Sequence, residues 1–381
     1  MSRHALLSPS SAHRWLNCTR APRLEASLPD KTGSYAEEGT LAHSVCEITA
    51  KKRFKKIKDD DLKVLKSHKL WSDEMLRTAE IYVEHLAEKM MSFTHEPYIA
   101  FEVEVDISDY APEAFGRCDC IMFGDDTLIV TDYKHGKGVP VSAEKNPQMM
   151  LYALGALKVY KPVFGDAIKN IELSIDQPRL DSYESWKITT KDLLAWGESI
   201  KPTAELAFKG EGNFSSGSWC RFCKANGLCK AQTTDFITAF DDFKNLNEDL
   251  LTPAQISDAL KKGEGLIAWY ESLQKTALEK LLEGVDIPEY KAVEGRSQRI
   301  WTNQDEAIEV LLDAGIDRAA IYDAVPKSLA QLERMLGVAR FAELVGRLVT
   351  KPRGKPTLAS IDDKRPAFNS AVSDFAKEVM K

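Results

Sequence analysis

Gly116 to Gly138 reads GRCDCIMFGDDTLIVTDYKHGKG. Two runs of strand-forming residues, Phe115 to Phe123 and Thr127 to Tyr133, flank a turn supplied by Gly124, Asp125 and Asp126. This pattern demands a hairpin. Asp119 then lies on the first strand, with Asp132 and Lys134 at the end of the second. Two carboxylates and an ammonium group converge at one sheet edge, where they can hold a divalent cation on phosphate oxygens and position a water. That combination points to nucleic-acid cleavage.

A D-x-K triplet alone is uninformative, since a surface ion pair looks the same. Three features argue for more. Asp119 precedes Asp132 by thirteen residues across the hairpin, and hard oxygen ligands with open coordination positions suit Mg²⁺ or Mn²⁺. Asp132 follows the apolar run Leu128, Ile129 and Val130, where an unpaired charge is costly. Gln148 and Tyr152, four residues apart on an expected helix, share a face that can meet a phosphate or a base. His43, in the run GTLAH on an earlier helix, is read as a metal ligand, against the plainer reading of a partly buried helix residue.

The rest of the chain divides by periodicity. Helices are expected near His13 to Leu16, across EEGTLAHSVCEITAKKRF and over residues 71 to 93, where Met75, Ala79, Tyr82, Val83, Leu86 and Met90 recur at helical spacing. Tyr98 to Ile107 alternates as a strand, with Phe101, Val103 and Val105 expected on one face. Strands are also expected over Asn170 to Pro178 and Ser185 to Thr190, and helices over Asn146 to Tyr160 and Leu193 to Phe208. After about residue 240 the strands stop. Thr252 and Pro253 open a helix, and Gln304 to Ala314 and Ser328 to Leu336, the latter capped by Gly337, are further helices. Trp269, Tyr270, Arg299 and Trp301 are read as core packing, with base stacking as the alternative. The expected class is α/β: a central mixed sheet flanked by helices, then a mainly helical C-terminal region. Expected domains are 1–238, 239–350 and an extended tail, 351–381.

With 381 residues, 44% hydrophobic and 29% charged, the composition is that of a globular protein of about two domains. No apolar run approaches the roughly 18 residues that suggest a membrane span, and the first residues lack a signal-peptide core. A cytoplasmic protein with reduced thiols is expected, with no membrane partner. The net charge of −7 argues against a long DNA-coating surface but not against a local DNA site. Lys51 to Lys69 holds nine Lys or Arg against three Asp. It reads as a solvated helix face, with a phosphate-tracking patch as the alternative.

Cys220, Cys223 and Cys229 form C-x2-C-x5-C, the spacing of a metal or cluster site that lacks a fourth ligand. Cys118 and Cys120 flank Asp119 and are read as core packing on the face opposite it.

His43, the G-R-x-D run ending at Asp119, the D-Y-K run from Asp132 to Lys134 and the Q-x-x-x-Y run from Gln148 to Tyr152 resemble, in order, the motifs of the PD-(D/E)XK nuclease superfamily, specifically its RecB-like branch. The resemblance covers about residues 1 to 235 and implies a restriction-endonuclease-like core. It implies that His43, Asp119, Asp132 and the Tyr133 carbonyl ligate Mg²⁺ or Mn²⁺, that Lys134 orients the attacking water, and that Gln148 and Tyr152 contact DNA. Glu102 or Glu104 is in place to add a carboxylate, without a choice between them. The neighbourhood of Cys18 is similar to the first cysteine of AddB-type and CRISPR-associated iron–sulfur exonucleases. This implies that Cys18, Cys220, Cys223 and Cys229 hold a 4Fe–4S cluster, with Zn²⁺ as the alternative. A DNA exonuclease acting with phage recombination or replication proteins is the expected function. A catalytically silent DNA-binding accessory and a zinc-ribbon nucleic-acid binder are the rivals.

Overall fold

The computed structural model describes residues 5–29, 34–55, 60–239, 241 and 250–293, with isolated positions at 313, 337, 340 and 343. The chain divides into two compact units, Met1–Val293 and Glu294–Lys381, and every element named below belongs to the first. The helices expected over Gln304 to Ala314 and Ser328 to Leu336, the stacking candidates Arg299 and Trp301, and the tail at 351–381 lie outside the described residues. Gly337 is described and holds the left-handed φ of 78° that a helix-ending glycine uses.

Three short or medium helices open the chain: α1 (Ala12–Asn17), α2 (Ala21–Ala26) and α3 (Ser34–Lys55). After α4 (Asp60–Lys66) and α5 (Asp73–Met90) come β1 (Tyr98–Asp106), β2 (Phe115–Gly124) and β3 (Thr127–Tyr133). Helix α6 (Pro147–Phe164), β4 (Asn170–Gln177), β5 (Ser182–Thr189) and α7 (Thr190–Lys209) complete the core. Helices α8 (Lys230–Thr238) and α9 (Pro253–Leu282) follow. The sheet order is β1-β2-β3-β4-β5, antiparallel except for the parallel β3–β4 pair. That pair is joined through α6, as a parallel connection requires. The α/β class expected from the sequence is therefore the fold observed.

Each face of the sheet buries its own core. One holds Val105, Cys118, Ile121, Leu128, Val130, Leu151 and Leu154 under α6 and α7, with Trp15 of α1. The other holds Leu41, Val45, Cys46, Met75, Tyr82, Phe101, Cys120, Met122 and Tyr133 under α3 and α5. Strand β3 is buried along nearly its whole length, which explains its continuous apolar run. No helix among the described residues is long and apolar enough to cross a membrane.

Two facings differ from strict alternation. Phe101 packs under α3 and α5, whereas Val105 packs under α6, so Phe101, Val103 and Val105 do not share one face. Likewise Cys118 and Cys120, both fully buried, belong to opposite cores. The cause is local. Glu102 takes a left-handed φ of 52°, and the β1–β2 ladder skips it, pairing Phe101 with Cys120 and Val103 with Cys118. A residue so twisted rotates the strand and exchanges its faces, as a bulge does.

Candidate functional site

The register brings three carboxylates into one row. Glu102 falls opposite Asp119, between the pairs Phe101–Cys120 and Val103–Cys118. Asp119 falls opposite Asp132, one step beyond the last β2–β3 pair, Cys120–Thr131. Helix α3, held by buried Leu41, Ala42, Val45 and Cys46, sets His43 against the middle of this row. His43 Nδ1 lies 3.3 Å from Asp119 Oδ1, and its ring meets Tyr133 edge-on at 5.5 Å. One ligand atom each from His43, Glu102 and Asp119 lie within 4.8 Å of one another, a spacing that fits a single cation. Of the two glutamates left open by the sequence, Glu102 is the one brought to this trio.

Asp132 stands beside the trio rather than in it. Its Oδ2 is 3.0 Å from Lys134 Nζ, yet has no hydrogen bond of good geometry, and its Oδ1 accepts from Gln148 Nε2 at 3.1 Å. Gln148 Oε1 in turn accepts from Lys134 Nζ at 3.1 Å, and Gln148 Nε2 lies 3.3 Å from the Tyr152 hydroxyl. Helix α6 presents both residues because Asn146 caps it, its side chain accepting from the N–H groups of Gln148 and Met149, with Pro147 in the first turn. The Tyr152 ring fits because residue 116 is glycine: a Cβ there would come within 2.9 Å of Tyr152 and 2.8 Å of Pro9. Tyr133 gives its backbone N–H to Asp119 Oδ2 at 2.7 Å. Its phenol is held by Thr78 at 2.8 Å and His135 at 2.9 Å.

The electrostatics follow from crowding charges in a buried row. Burial works against ionisation of Asp119, but the charge and hydrogen bond of His43 hold its carboxyl below the usual range. Burial dominates at Asp132, whose carboxyl is pushed upward despite Lys134, with Asp119 adding to the rise. Burial, then Asp119 and Glu47, raise Glu102 to about 7. Burial would lower His43, but Asp119 and Asp132 outweigh it and raise the imidazole to about 9. Two carboxylates with divergent protonation beside a lysine have the character of a functional centre.

The four cysteines meet elsewhere. Cys18, at the C-terminal end of α1, lines one cavity of about 20 Å³ with Cys220, Cys223 and Cys229. Ser215 N–H points at Cys18 Sγ at 3.4 Å. Arg14 reaches the Phe222 carbonyl at 3.2 Å and pairs with Glu25 at 2.6 Å; Glu25 accepts from Lys224 N–H at 2.8 Å. These contacts join segments some two hundred residues apart in the chain. Burial raises the Cys220 thiol and pushes that of Cys223 up to about 12. Among the described residues, no three of the sulfurs lie within 4.8 Å of one another.

Sequence reasoning missed one polar network. Arg179, after β4, donates to Glu38 at 3.2 Å, Glu74 at 2.9 Å and the His135 carbonyl at 3.1 Å. It thereby ties α3, α5 and the loop after β3 together, and no motif marks such distant partners.

A family model described as "Protein of unknown function (DUF2800)" matches residues 4–366. A solved structure titled "Crystal structure of SSO0001" is 15% identical and covers 58% of this chain and 95% of its own, with a TM-score of 0.24. At that score the likeness carries no argument.

Proposed function

This chain belongs to the DUF2800 family of proteins of unknown function, and we propose that it is a Mg²⁺- or Mn²⁺-dependent deoxyribonuclease of the PD-(D/E)XK, RecB-like type. The observation that carries this reading is the row Glu102–Asp119–Asp132 across three adjacent strands, with His43 against Asp119 and Lys134 against Asp132. The donor set fits a hard divalent cation: carboxylate oxygens with one imidazole, and a buried Asp132 oxygen lacking a hydrogen bond. Buried like charges are costly unless neutralised.

His43, Glu102 and Asp119 would hold the cation, with Asp132 beside them, and it would supply Lewis acidity that makes water a better nucleophile and neutralises phosphate charge. Lys134 supplies a fixed positive charge that orients the attacking water and stabilises the negative charge growing on the phosphate. Gln148 holds Asp132 and Lys134 in register through its two amide atoms. Water adds to phosphorus, the P–O bond to the leaving sugar oxygen breaks, and that oxygen takes up a proton. A role in phage DNA recombination or replication rests on resemblance alone.

At the cysteine cavity we favour a 4Fe–4S cluster over zinc. Cys18, Cys220, Cys223 and Cys229 line one cavity, and four thiolates suit either group; the preference for the cluster rests on the resemblance of the one-plus-three layout. The cluster's role there is to tie α1 to the segment after α7.

The test is digestion of end-labelled single- and double-stranded DNA with Mg²⁺ or Mn²⁺. Asp119→Ala, Asp132→Ala and Lys134→Ala are each expected to abolish cleavage with folding nearly intact. Cleavage that survives in the Asp119→Ala/Asp132→Ala double variant removes the assignment.

A further inference from the structure

We propose that the groove between α3, α4 and α5 binds a single strand of nucleic acid, with phosphates against its two basic walls. That this strand is the substrate rests on the nuclease reading above; the binding site itself does not.

The groove has a volume of about 620 Å³. Helix α3 contributes Lys52 and Arg53, α4 contributes Lys63 and Lys66, and α5 contributes Glu80 and Glu84, over an apolar floor that includes Leu62 and Val83. Four cations thus face two carboxylates in a chain whose net charge is −7. The positive charge is confined to two adjoining walls, which is the layout for tracking a phosphate backbone. The acidic wall suits the opposite side of a strand, since carboxylates accept from exocyclic amino groups such as cytosine N4.

Size selects the occupant. The volume lies within the range of about 300–1,000 Å³ for small-ligand clefts, room for a short stretch of single strand. Lys52 and Lys63 already interact with neighbouring groups. Arg53 and Lys66 are exposed, and their heads lie over the rings of Phe54 and Trp71 at 5.9 and 5.8 Å. Half-buried Trp71 therefore stands beside Lys66, where a base can stack.

The groove is also linked to the candidate cation site. His43 and Arg53 share α3, ten residues apart. That places them about 15 Å apart along the axis and about 80° apart around it. A strand held at Arg53 is tethered to the helix that carries a proposed metal ligand.

The experiment measures binding of a fluorescent 20-nucleotide single strand in EDTA at several salt concentrations, using the full chain. Hydrolysis of bis(p-nitrophenyl) phosphate with Mn²⁺, a substrate too small to need the groove, is measured separately. Arg53→Glu/Lys66→Glu is compared with the wild type and with Lys209→Glu, an exposed control on α7. The double variant is expected to bind about tenfold more weakly. Its log–log salt slope should flatten by about 1.4, since each single-strand phosphate contact contributes about 0.7. Hydrolysis of the small diester should be unchanged.

A double variant that binds like the wild type, or loses no more than Lys209→Glu, overturns the proposal. So does wild-type protein that binds no single strand, or that prefers polyglutamate or a duplex. If the double variant loses binding while even the wild type hydrolyses nothing, the groove stands and the nuclease reading falls.

Discussion

Glu102 faces Asp119 across the β1–β2 pair with its backbone in the left-handed region, φ 52°. A non-glycine residue held there in mid-strand costs of order 1–3 kcal/mol, and its carboxyl is set against a second one. Such a pairing is expensive in the empty protein and favourable around a cation.

Replacement of Glu102 by Gln is therefore expected to raise the melting temperature in EDTA at pH 8, because one of two opposed charges is gone. The same change should weaken Mn²⁺ affinity by about 10- to 100-fold, the scale seen when a group that supports a metal is lost. Thermal melts with and without Mn²⁺ read both effects. An E102Q protein that is less stable than the wild type in EDTA, with Mn²⁺ affinity retained, contradicts this account.

The raised values at Glu102 (about 7) and His43 (about 9) fix the sign of a pH effect. Both groups, and Asp132, bind protons more tightly folded than unfolded. The favourable His43 pairing is fully present below about pH 6.5 and lost as pH rises through about 9. Deprotonation of Glu102 penalises the fold between about 4.5 and 7. Without a cation, stability contributed by this site should fall as pH rises from 6 to 9. A cation displaces those protons, so the stabilisation by Mn²⁺ should grow over the same range. Melts from pH 6 to 9 decide it: a Mn²⁺ shift that shrinks with rising pH is the adverse result.

Cys18→Ser and Cys223→Ser are expected to behave alike although 205 residues separate them. Each should lose the brown absorbance and the iron of anaerobically purified protein, and each should melt at a markedly lower temperature, because the tie between α1 and the segment after α7 is loosened. Colourless native protein carrying one equivalent of zinc would count decisively against the cluster.

Gly116→Ala tests the packing under Tyr152. The new methyl meets Pro9 and the Tyr152 ring at under 3 Å, an overpacking that costs about 1–3 kcal/mol. Chemical denaturation should record that loss. Equal stability would show that the ring and Pro9 move aside freely.

Much of the architecture was legible because it rests on local periodicity. The amphipathic repeat of α5, the continuous apolar run of β3 and the Thr252–Pro253 helix start each depend on residues within a few turns of one another. Helix α9 begins with the full reciprocal cap, Thr252 and Gln255 each satisfying the other's backbone. The motif residues His43, Asp119, Asp132, Lys134, Gln148 and Tyr152 were also legible as candidates, from residue type and spacing.

What the chain's order of residues settled, then, is the set of elements and the chemical groups they carry. The choice of Glu102 over Glu104, the separation of Cys118 from Cys120, and the turning of the Asp132 carboxylate toward Lys134 and Gln148 were decided by packing in three dimensions. A left-handed twist at Glu102 exchanges the faces of a strand, and no propensity encodes a conformation that its own residue disfavours. It persists because α3, α5 and α6 hold the sheet from both sides. The same holds for Cys18 and its three distant partners, which meet only when the first helix docks on the last part of the core.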